Sequence, residues 1–256
     1  MIGKTLFKHS GADTHRVHVC AEPTLRRSVD TGFVKPVKGT RKNIGQACGE
    51  TCAAIGFTVK SGWACAVLLV GSAESPQVVE SRRVDLNDPA VPESRQPYHA
   101  GFGTAREAGP ELSRLISAVR RFGQRSVTGL VRHYQAFGHP VRGAGIVVGS
   151  LIDPERIAND HIRIHALEGQ LFRRVVYDAA TRSKLSCSIW RERDLYALAS
   201  GILKQPEREL RGKLAVLGRE LGGPWRAEQK AAALAAWLVL AGHRSRWKEP
   251  ECAQSK

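Results

Sequence analysis

The sequence predicts an α/β protein in which three antiparallel strands precede two strand–helix units, in the order β-β-β-α-β-α-β-α, with extra C-terminal helices. Three observations predict it. Two runs rich in apolar and β-branched residues, AAIGFTV and WACAVLLV, flank the turn KSG and read as a hairpin. The charge-free run GAGIVVGS, over 143–150, reads as the buried centre of a parallel sheet. Between and after these runs, apolar residues return at helical spacing.

Element by element, a turn at GSAESP leads to QVVESRRVDL, a third strand with partial alternation. The segment DPAVPESRQPYHAGFG holds too much Pro and Gly for regular structure and reads as a surface loop. From Thr104 to about Phe122, Leu112, Leu115, Ile116 and Val119 recur at helical spacing, and the pattern resumes to about Phe137. After GAGIVVGS, the stretch DPERIAND introduces a long amphipathic helix containing HIRIHALEGQLFRRVVYDAA. LSCSIW is the fifth strand. Helices RDLYALASGIL, PERELRGKLAVLGREL and WRAEQKAAALAAWLVLA follow, with Pro206 and Pro224 near helix starts, where a missing N–H costs nothing. Three regions result: a basic arm over 1–45, the main domain over 46–243 and a basic tail over 244–256. The arm sets nine Lys and Arg against three acids, with little periodicity.

With 256 residues, 42% of them hydrophobic, the chain is long enough to bury one sizeable core. It has no apolar run of membrane-spanning length, and its first residues lack a secretory signal's apolar segment. The six cysteines show neither close CxxC pairs nor an export context, so they read as reduced packing thiols. The expected location is the cytoplasm or another reducing compartment that contains nucleic acid. A formal charge of +15 favours a polyanionic partner, because a positive surface gains by displacing counterions from phosphates. DNA or RNA is the expected partner, and no membrane is.

The order of elements, spanning roughly residues 52–242, resembles the ribonuclease-H-like superfamily, within it the bacterial-type Holliday-junction resolvases. GFTVKSG (56–62) occupies the place of their first strand and turn, AALAAW (232–237) that of their last helix, and ALEG (166–169) is similar to their Gly-broken middle helix. The resemblance implies a ribonuclease-H-like mixed five-stranded sheet and clustered carboxylates holding two divalent ions, one to activate water and one to stabilise the leaving oxygen. Thr58, however, stands at the first-strand aspartate, Ala232 at that of the last helix, and Gly149 and Ser150 follow the fourth strand. Threonine brings no charge to bridge two cations. If the site were rebuilt from other acids, Glu168 and Glu228 would be the catalytic candidates, with Asp160, Asp85 and Asp194 nearby in the chain and Mg2+ or Mn2+ as the ion.

His161, His165 and Glu168, at i, i+4 and i+7, share a helical face. Two imidazoles and a carboxylate suit zinc, manganese or iron, and His165 suits general-base work. The same histidines also suit a phosphate contact or the polar edge of a packed helix. The spacing is not H-E-x-x-H, where glutamate lies between the histidines. In the loop SRQPYHAG, Arg95, Tyr98 and His99 can grip phosphate and stack on a base. Lys60 flanks the first turn beside Trp63, Arg120, Arg121 and Arg125 cluster on one helix, and Arg173 and Arg174 extend the charged side of the next. No helix-turn-helix, zinc finger or Walker loop is present. The leading expectation is a resolvase-like domain that binds structured nucleic acid without the two-metal centre. Its alternatives are a divergent divalent-metal nuclease and a non-catalytic protein-interaction or assembly subunit, whether in a protein complex or a homo-oligomer.

Overall fold

The first turn shows how the sequence sets the sheet. β1 (Ala53–Lys60) and β2 (Trp63–Gly71) pair antiparallel from Ala53 with Val70 to Lys60 with Trp63. Only Ser61 and Gly62 connect them, and Gly62 adopts φ 81°, a left-handed conformation that glycine takes without a Cβ penalty. Its carbonyl accepts the backbone N–H groups of Leu86 and Asn87, which ties down the end of β3 (Pro76–Asp85). The computed structural model describes residues 52–245 apart from residue 102. The basic arm expected over 1–45 and nearly all of the tail lie outside the described residues.

β6 (Val141–Val148) lies parallel beside β1, and β7 (Ser186–Arg191) parallel beside β6. The sheet order is β3-β2-β1-β6-β7, the mixed five-stranded arrangement expected. α1 (Pro110–Ala136) and α2 (Asp160–Arg182) cover one face, packing on Ile55, Phe57, Leu68 and Ile146. α5 (Ala227–Leu240) covers the other, with α3 (Leu195–Leu203) and α4 (Glu207–Leu217) outside it. Alternate residues of β1 therefore serve two different cores, as the period of two in a strand requires.

α5 lies unusually close to its strand. A Cβ on Gly56 would fall 1.7 Å from the Ala232 carbonyl oxygen, and one on Gly145 would fall 2.6 Å from that of Ala235. The alanine run of α5 and these strand glycines fit as a pair: small residues on both sides let backbone meet backbone.

Two expectations need correction. The helix expected in two parts, from Thr104 with a resumption towards Phe137, is one continuous helix beginning at Pro110. Gly123, at its middle, gives α2 room, since a Cβ there would meet the Val175 side chain at 2.6 Å. The segment expected as bare loop also carries regular structure. It holds a 3-10 turn (Pro92–Arg95) and a small hairpin of β4 (His99–Gly101) with β5 (Thr104–Ala105). Ser94 organises it: its buried hydroxyl donates to the Val91 carbonyl and accepts the Asp88 N–H. Such side-chain-to-backbone bonds let a Pro- and Gly-rich segment hold one conformation.

Candidate functional site

At the end of β1, the face turned to α5 is closed. Thr58 is 1% exposed, and its hydroxyl donates to the Glu228 carbonyl oxygen at 2.9 Å. Together with the flush contact of Gly56 on Ala232, this fills the place where the resemblance implies a carboxylate pair and two cations. Glu228 lies on this face, close enough to Cys65 of β2 for its charge to help burial raise that thiol to about 11. Glu168 belongs to α2, on the opposite face. The two carboxylates offered as a relocated site are therefore separated by the sheet. Asp85, Asp160 and Asp194 are in ion pairs with Arg83, Arg163 and Arg191. No three His, Cys, Asp or Glu side chains among the described residues are grouped to hold a metal ion. The residues present do not fit a two-metal centre.

On the α2 face, Glu168 is fully buried, whereas a lone acid on this helix is expected to be solvated. Its Oε1 lies 3.1 Å from His99 Nδ1 and accepts the Tyr98 backbone N–H, also at 3.1 Å. Oε2 is buried and has no hydrogen-bond partner among the described residues. Burial raises the Glu168 pKa, and the bonds from His99 and Tyr98, with the nearby Ser61 hydroxyl, oppose that rise without cancelling it. Because Oε1 already accepts from a backbone N–H, it is an acceptor, and His99 Nδ1–H donates a hydrogen bond to it as well. That leaves His99 Nε2 as the ring nitrogen facing other partners. The His99 ring lies 5.0 Å from the His165 ring, which lies 4.7 Å from His161. Burial, then the charges of His161 and His99, push the His165 imidazole below its ordinary range.

These rings line an open cleft of about 790 Å³ between the 92–106 segment and the start of α2, together with Arg95, Gln96 and Arg106. Arg106 braces one wall. Its guanidinium donates to the carbonyls of Pro97 and His99 and pairs with Glu111 at 2.6 Å. A second cleft, about 350 Å³, opens at the ends of β1 and β6, where Lys60, Ser61, Gly149 and Ser150 meet Ile152 and Ile162. His165 lines both.

The other expected contacts divide clearly. Arg95 and Arg120 are exposed and have no acidic partner among the described residues. Arg120 stands near Tyr98, whose hydroxyl burial pushes above its ordinary range. Tyr98 packs on the core rather than standing free to stack. Lys60 pairs with Glu192 at 3.1 Å and Arg121 with Asp88 at 3.7 Å. Arg174 pairs with Asp178 at 3.0 Å. Arg173 is not on the charged side of α2: it is 4% exposed and donates to the Ser150 carbonyl, bracing the end of β6. Two features were missed in the sequence, the role of Arg106 and the union of Glu168 with His99. An arginine closing a Pro- and Gly-rich segment was the one available signal for the first. The second joins residues 69 apart in the chain, with no local signature.

No protein-family model matches the sequence, and no curated protein matches it. Among solved structures the chain is similar to RuvC of Thermus thermophilus, at 8% identity and TM-score 0.41, over 74% of this chain and 96% of that one. It is also similar to T. thermophilus RuvC in complex with Holliday junction substrate, at 11% identity and TM-score 0.44, over 75% and 96%. A ROK hexokinase from the same organism is similar over 58% of this chain and 38% of that one, at 14% identity and TM-score 0.29. These likenesses are distant, and the mixed five-stranded sheet is described from the strand order and register of this chain itself.

Proposed function

We propose that this chain is a nucleic-acid-binding domain that keeps a ribonuclease-H-like scaffold without a two-metal centre, and that it holds phosphates along the cleft between the 92–106 segment and α2. One observation carries the reading: Arg95, which lines the histidine-lined cleft, has no acidic partner among the described residues, nor does Arg120 near Tyr98, in a chain of formal charge +15. Arg106, Arg121 and Arg163, by contrast, are balanced by Glu111, Asp88 and Asp160, and exposed balanced pairs add little to an external field. Guanidinium groups that remain unpaired are free to displace counterions from a phosphate backbone. The second cleft adds exposed apolar surface from Ile152 and Ile162, suited to the face of an unstacked base.

The test is a fluorescence-anisotropy titration against branched DNA, duplex DNA and a structured RNA, each at about 50 and about 200 mM salt. Affinity that falls steeply with salt supports the reading, as does further weakening in an Arg95→Ala, Arg120→Ala double variant. Affinity for all three substrates that is absent at low salt rejects it and leaves an assembly role as the account of the retained sheet.

A further inference from the structure

The fully buried Glu168 does work that phosphate binding does not require. A carboxylate beneath His99 subtracts charge from the site and so weakens its attraction for an anion. What it does supply is a fixed ring orientation, with Nδ1 engaged and Nε2 turned to other partners, and a countercharge for the protonated imidazole. A base or acid held by a third group is the arrangement proton transfer needs. A second imidazole, His165, faces the first at 5.0 Å between ring centres and is reachable from both clefts.

The lining of the larger cleft limits the chemistry. Among the described residues it contains no serine, threonine, cysteine, tyrosine or lysine, so these residues offer no side-chain nucleophile of these kinds there. A nucleophile supplied by the substrate itself meets the need, and a ribose 2′-hydroxyl beside its own phosphodiester has the high effective concentration of an intramolecular group. We propose that this cleft cleaves RNA without a metal ion, with His165 as general base and His99, positioned by Glu168, as general acid. This rests on the nucleic-acid reading above.

In the step, His165 accepts the 2′-hydroxyl proton and the 2′-oxygen forms a bond to phosphorus. The bond from phosphorus to the 5′-oxygen breaks, and that oxygen takes the proton from His99 Nε2. The products are a 2′,3′-cyclic phosphate and a 5′-hydroxyl end, with both histidines left in exchanged protonation states that water restores. His99 and His165 are the catalytic residues; Glu168 is a positioning residue. The charged and titratable groups facing the pair are Glu93 and Arg95 of the 3-10 turn, Arg106 after β5, His161 and Glu168 of α2, and Lys60 across the smaller cleft. Burial and the neighbouring imidazoles keep His165 in its neutral, proton-accepting form at neutral pH.

The experiment incubates the full chain with an RNA hairpin bearing a single-stranded loop, in EDTA, from pH 5 to 8, and identifies the product ends. The same RNA with 2′-deoxy sugars through its loop, and the DNA hairpin of equal sequence, run beside it, and binding of all three is followed by anisotropy. The expected result is cleavage of the RNA alone to cyclic phosphate ends, with a bell-shaped pH profile. His99→Gln and His165→Gln each lower the rate about a hundredfold or more while binding persists. Glu168→Gln lowers the rate while binding persists, and Glu168→Asp, which keeps a carboxylate acceptor for His99 Nδ1, recovers part of it, a rescue that a merely structural role would not give. RNA bound but intact at every pH overturns the activity and leaves the binding function standing. Failure to bind any of the three overturns both. Cleavage that needs a divalent ion, that persists on the 2′-deoxy loop or that survives both histidine substitutions also overturns the assignment.

Discussion

The two faces of the sheet at the end of β1 differ in what they bury. Facing α5, Thr58, Gly56 and Ala232 meet backbone to backbone, and the polar hydroxyl is spent on a carbonyl. Facing α2, a whole carboxylate is buried and clamped to a histidine and a backbone amide. A close contact of small residues leaves no volume for ions or substrate. A buried carboxylate, in contrast, is costly enough that it persists only where hydrogen bonds compensate it. The buried carboxylate of Glu168 and its histidine therefore lie across the sheet from the closed contact of Thr58, Gly56 and Ala232.

The sharpest way to break the contrast is Gly56→Ala. Its new Cβ would meet backbone, which cannot rotate away, so the expected loss is about 3 kcal/mol or more, read as a lower denaturant midpoint. A loss under about 1 kcal/mol would show that α5 can lift from the strand and that the closed face is looser than described.

Next in size is Glu168→Ala, which strips the acceptor from His99 and Tyr98 in a buried setting. About 2–3 kcal/mol of stability should be lost. Glu168→Gln keeps an acceptor and tests the charge alone. Because burial raises the Glu168 pKa above 4.5, the folded chain holds this proton more tightly than the unfolded one. The group's contribution to stability is complete below the unfolded value and is lost as pH rises through the raised one. The glutamine variant should therefore gain on the parent as pH rises above 4.5, followed by Tm in matched buffers. Parallel Tm curves would mean the carboxylate titrates alike in both states.

Thr58→Val tests the closed face more gently and should cost about 1 kcal/mol, the worth of one hydrogen bond. Thr58→Asp should gain no Tm from Mg2+, because the backbone contact of Gly56 on Ala232 leaves no volume for an ion on this face. A clear Mg2+-dependent rise would show that an ion can enter between β1 and α5 and that this face is not closed. The smallest effect belongs to Lys60→Ala. Its pair with Glu192 is about one-third exposed on both sides, so the change should stay within about 1 kcal/mol in chemical denaturation.

Much of the fold was legible because it follows local rules. The KSG turn, the apolar alternation around it, the charge-free fourth strand and the alanine-rich last helix each announce their state within about ten residues. The 92–106 segment was not legible, since Ser94 and Arg106 stabilise it through side-chain bonds that composition does not display. The site was half legible. His99, His165 and Glu168 were each singled out, but in two groups, His165 and Glu168 with His161 as a helical metal candidate and His99 with Arg95 and Tyr98 in the loop. The absence of carboxylates at Thr58, Ala232, Gly149 and Ser150 was readable directly from residue identity.

By itself, then, the sequence determined the order of the elements, the basic charge and the chemical poverty of the position where a two-metal centre would stand, because these depend on residue type and short-range periodicity. Tertiary structure alone decided that Glu168 is buried rather than solvated, that it lies across the sheet from Glu228, and that its partner is His99 from a distant hairpin. Those facts depend on which face of the sheet each helix covers and on contacts between residues far apart in the chain, and a helical or strand period does not encode either.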